Sequence, residues 1–145
     1  MKLTILEDAA KRPELFCWAG AIEPGVLDSW LKDRGWNVPE ELRYLWCQTG
    51  GGDFFDGETI FAPFDDLWAN DSVDKVYTAQ VNAGMPKNYL PLHDGLRFSA
   101  INLSTRKYTF LDEDTYEAQE EFPSLEAWYV KGIRPDFAKT YSLAD

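Results

Sequence analysis

Histidine occurs once in this chain, at position 93, and cysteine twice, at positions 17 and 47. A structural zinc site draws on about four such ligands, and a disulfide-built domain on cysteine pairs at recurring spacings. Cys17 and Cys47 stand thirty positions apart with no CxxC, and supply neither. Both are expected to be free thiols buried in a protein of a reducing compartment. Long apolar runs are missing too. The first residues, MKLTILEDAAKRPELF, are interrupted by Glu7 and Asp8, and no later stretch approaches the roughly 18 apolar residues of a membrane span. A cytoplasmic location, with no membrane partner, is the expectation.

Positive charge is absent from two windows. Residues 49–74 contain Asp53, Asp56, Glu58, Asp65, Asp66, Asp71 and Asp74 with no Lys or Arg. Residues 112–126 contain Asp112, Glu113, Asp114, Glu117, Glu120, Glu121 and Glu126, again with no base. The stretch between them, 75–111, carries five bases and one acid, within a chain of net charge −11. Such windows repel nucleic acid and attract a basic protein. A solvated, solubility-promoting face is the plainer reading of the same residues.

Gly50, Gly51 and Gly52 suggest a phosphate-cradling loop until their neighbours are considered. A P-loop needs the GxxxxGK[ST] spacing and a lysine to meet the phosphate. Here Asp53, Asp56 and Glu58 follow instead, and would repel the anion. A helix stop and a turn with positive φ account for the glycines.

Catalytic constellations are equally sparse. Any Ser-His-Asp or Cys-His arrangement must use His93, whose sequence neighbour is Asp94. Adjacent residues of a strand point to opposite faces, so Asp94 is not placed to orient His93. The DxDxDG spacing of a calcium loop is absent. Clustered carboxylates leave a carboxylate-dependent hydrolase as an alternative, but close acid pairs arise by chance in such windows. No cofactor or metal is expected, and the chain reads as non-catalytic.

What the chain does contain is a core. Hydrophobic residues make up 45% and aromatics 15%, enough for one domain of 145 residues to bury a real interior. PGVLDSWLKDR (24–34) has helical spacing and ends at Gly35, and Pro39 suits the first position of a helix over 39–49 with Leu42, Leu45 and Trp46 inward. A strand is expected around Thr59, Ile60 and Phe61, and a helix over 72–83. Strands follow at 89–93, 97–103 and 107–112, the last two forming a hairpin, and Ser124 caps a closing helix. Helices first, then consecutive strands, then a helix give an α+β domain with a mostly antiparallel sheet of about four to six strands.

The order of VPEELRYLW, TGGGDFFDGETIF, LPLHDGLRFSAINLSTRKYTFLD and SLEAWYV resembles the SUKH superfamily across most of residues 24–132. The resemblance implies an antiparallel sheet flanked by helices and a protein-binding role without catalysis. Bacterial members are largely immunity proteins that neutralise secreted toxins, often nucleases, and a fungal branch regulates cell-wall synthesis through protein contacts. The expected partner is a basic protein, a cognate toxin in the first reading and an endogenous partner of a regulatory scaffold in the second. Two acidic surfaces are candidates for it: Asp53, Asp56, Glu58, Asp65 and Asp66, or Asp112, Glu113, Asp114, Glu117, Glu120 and Glu121. Trp68 and Tyr116 are candidate aromatic anchors, with core packing as the other reading.

Overall fold

The computed structural model describes residues 1–64 and 72–143. Its helices begin and end where the local chemistry demands. In α2 (Pro24–Arg34) the Glu23 carboxylate accepts from the Gly25 and Val26 amides at 3.1 and 3.0 Å, and Gly35 closes the helix at φ 70°. In α3 (Glu40–Thr49), Pro39 sits one position earlier than expected, as the N-cap, with Glu40 and Glu41 in the first turn. Leu42, Leu45 and Trp46 are buried as their spacing requires.

The triple glycine does more than stop α3. Gly50 caps the helix in the left-handed region, its amide bonding to the Trp46 carbonyl at 2.8 Å. Gly52 opens β2 (Gly52–Phe54) at φ 147°, and a Cβ there would stand 2.2 Å from the Cys17 carbonyl oxygen of β1 (Phe16–Trp18). The run is a place where two backbones touch.

From β1 and β2 the sheet continues through β3 (Glu58–Ile60), β4 (Tyr89–Asp94), β5 (Phe98–Asn102), β6 (Tyr108–Leu111) and β7 (Ala118–Phe122). All seven strands lie in one antiparallel sheet, and their spatial order is their sequence order. Among the described residues that is one strand more than the upper end of the expected four to six. The strands without an expected segment are β1, β2 and β7, which are short or carry little β-forming sequence. Helix α4 (Val73–Asn82) lies between β3 and β4 in sequence and packs on β4.

Every residue of β5 is buried, so both faces of the central sheet are covered. β7 is the opposite case: Ala118, Gln119, Glu120 and Glu121 are exposed and only Phe122 turns inward. After β7 the expected single helix is a short α5 (Leu125–Ala127), capped by Ser124, running into a π-helical turn (Trp128–Ile133) and α6 (Pro135–Ala138). The N-terminal α1 (Thr4–Lys11) docks on this segment. Glu126 accepts from the Thr4 amide at 2.9 Å, and the buried Asp8 accepts from Tyr129 Oη at 2.5 Å and Arg134 Nε at 2.8 Å. Among the described residues no helix is long and apolar enough to cross a membrane.

Candidate functional site

Strand pairing brings together three polar residues, one of them 35 positions from its partner. His93 of β4 lies opposite Ile60 of β3 and Ser99 of β5. Its Nε2 is 2.8 Å from Glu58 Oε1, and its Nδ1 is 2.9 Å from Ser99 Oγ. Trp128, reaching in from the π-helical turn, donates Nε1–H to the same Ser99 Oγ at 2.9 Å. The Leu96 amide donates to the other Glu58 oxygen at 2.9 Å.

Ser99 Oγ accepts from Trp128 and pairs with His93 Nδ1, and which atom donates in each His93 bond depends on the imidazole tautomer. Trp128, Ser99, His93 and Glu58 form one hydrogen-bonded chain that ends on a carboxylate. Gly95 makes room for its end, since a Cβ there would stand 2.0 Å from Glu58 Oε2.

A serine, a histidine and a carboxylate in hydrogen-bond contact are the parts of a nucleophilic relay. Access is what this one lacks. His93 and Ser99 are wholly buried, and so is the Trp128 side chain bonded to Ser99 Oγ. As placed, the chain satisfies buried polar groups and ties β3, β4, β5 and the π-helical turn together. Sequence reasoning excluded Asp94 as the orienting acid, and Asp94 is indeed exposed, accepting from the Gly95 amide. The carboxylate it missed is Glu58, whose role depends on strand register and has no local signature.

Glu58 is therefore a correction to the first acidic window. It is 2% exposed and belongs to the interior, not to a binding face. Asp53 is exposed on β2 with its carboxylate accepting from Thr59 Oγ1 at 2.7 Å, and Asp56 sits exposed in the β2–β3 turn at φ 53°. Asp65, Asp66 and Trp68 lie outside the described residues. Cys17, expected inside, is exposed on β1, while Cys47 is buried.

The second window places Asp112 to Glu121 on one turn and one strand, while Glu126 faces α1. Asp112 accepts from the Asp114 and Thr115 amides at 2.8 and 2.9 Å, which shapes the turn between β6 and β7 and holds its carboxyl below the usual range. Glu113 is shifted the other way, raised first by partial burial and then by the nearby Asp94. Glu117 follows the turn, and Glu120 and Glu121 stand on β7, pairing in register with Phe110 and Thr109. Among the described residues none of these acids forms an ion pair. Tyr116 is half-buried, and its hydroxyl donates to Gln80 of α4 at 2.6 Å. That contact ties the turn to α4.

Comparison with protein-family models and with curated proteins finds no match for this chain.

Proposed function

We propose that this chain is a non-catalytic protein-binding domain that captures a basic protein on the acidic turn and edge strand of residues 112–121. The reading draws its fold-level support from the α+β architecture expected of a SUKH-like domain. Within that resemblance the partner is a secreted toxin, a nuclease being the natural target of a charge mimic, because a groove that holds phosphates is basic.

One observation carries the proposal. Glu113, Asp114, Glu117, Glu120 and Glu121 are all exposed, sit at one end of one sheet, and meet no cation among the described residues. Acids that only solubilise a surface gain from interspersed bases, which limit their mutual repulsion. Here repulsion is left in place, and a partner of opposite charge relieves it. The sealed surroundings of Ser99 support the non-catalytic half of the reading.

The test is association kinetics with the product of the neighbouring gene, measured across a salt series. The expected outcome is an on-rate that falls steeply with salt. It should also fall when Asp112→Asn, Glu113→Gln, Asp114→Asn and Glu117→Gln are combined in a variant that remains folded by circular dichroism. An on-rate indifferent to both changes would place the interface elsewhere.

A further inference from the structure

We propose that β7 receives an extended basic segment of the partner, which adds to the sheet as an eighth strand; this rests on the acidic-surface reading above and gives its mode of binding. β7 ends the sheet, paired with β6 on one side and open on the other. In an antiparallel ladder alternate residues turn their amide and carbonyl away from the partner strand. Among the described residues the backbone of 118–122 makes no hydrogen bond beyond the β6 ladder.

Exposed edges are usually blunted by shortness, proline or a covering element. The opposite edge, β1, is three residues long. β7 has five residues, contains no proline, and exposes four of them. What guards it is charge. Two copies of this chain meeting at β7 would set Glu120 and Glu121 against the same acids, which disfavours self-pairing. A lysine- or arginine-bearing strand meets complementary charge at the same positions.

The register narrows the occupant. The β6–β7 ladder shifts between Phe110 and Leu111, which leaves Gln119 bulged and the regular edge at Glu120, Glu121 and Phe122. Glu120 and Glu121 are consecutive and point to opposite faces. An incoming strand matches both only with basic residues on both of its faces, that is, with adjacent lysines or arginines. Pro123 ends the edge immediately afterwards, so the added strand is short.

The experiment uses the full chain and three synthetic peptides of about ten residues, a length suited to strand addition. The parent carries a central Val-Lys-Lys-Thr; the second keeps its charge but has N-methyl groups on alternate amides; the third has glutamate for lysine. Titration followed by amide NMR should show the parent slowing hydrogen exchange at outward-facing amides within 118–122. N-methylation should weaken binding by about tenfold or more, and Glu120→Gln with Glu121→Gln should weaken it as well. If the N-methylated peptide binds as tightly as the parent, strand addition is overturned while the acidic-surface reading stands. If the parent does not bind at 118–122, strand addition is overturned as well, and the salt series with the folded partner independently decides the underlying reading.

Discussion

Ser99 holds two partners in an interior that offers no replacement for either. Its Oγ accepts from Trp128 Nε1 and bonds His93 Nδ1, each at 2.9 Å, with no solvent exposure. Ser99→Ala is expected to orphan both groups. Unsatisfied buried polar groups cost about 1–3 kcal/mol each, so a loss of about 2–6 kcal/mol should appear in urea unfolding with an unchanged slope. A loss below about 0.5 kcal/mol, the range of ordinary surface changes, would mean that the relay contributes little. Glu113 makes the opposite case on the surface. Its carboxyl is raised by burial and by Asp94, so the charged form is the disfavoured one in the fold. The stability linked to this group is present at low pH and lost as pH rises through its raised pKa. Glu113→Gln should therefore raise the melting temperature slightly at neutral pH, with the gain vanishing as acid protonates the wild-type side chain. A thermal-melt series across pH checks this directly.

Among the elements, the contact between β1 and β2 has the least room to change. Gly52 combines φ 147° with a backbone carbonyl 2.2 Å from where a Cβ would be. Gly52→Ala is expected to push β1 off the sheet edge, destabilising by more than the roughly 1 kcal/mol usual for a single substitution. Hydrogen exchange at 16–18 should speed up more than at 98–102. Elements with local signals were legible in the sequence. Pro24 and Gly35 bracket α2, Gly50 closes α3, and apolar runs parted by short turns mark β4, β5 and β6. Those that depend on distant partners were not. α1 lacks a side-chain cap of its own and borrows Glu126 across 122 positions. β7, AQEEF, is a strand because β6 offers it a ladder, not because its residues favour one. The same distinction divides the candidate site. The acids of 112–121 were visible as composition, whereas Glu58 entered the interior because His93, its partner, arrives from another strand.

Over the whole molecule, the net charge of −11 is spread unevenly, and its effect on capture depends on how far it is felt. The Debye length shrinks from about 30 Å at 0.01 M salt to about 3 Å at 1 M, so the proposed steering of a basic partner by the acidic end of the sheet is expected to fade as salt rises. Steered association reaches about 10⁸–10⁹ M⁻¹s⁻¹, against roughly 10⁵–10⁶ without it, which sets the span expected in the kinetic test above. The meander also constrains how the chain acquires its shape. Each strand pairs with the next one along, so the sheet can lengthen strand by strand as the polypeptide leaves the ribosome. α1 is synthesised before any of it, yet Thr4 and Asp8 must wait for Glu126, Tyr129 and Arg134. The earliest helix is the last to be secured, and until then its apolar face, led by Ile5, has no core to enter.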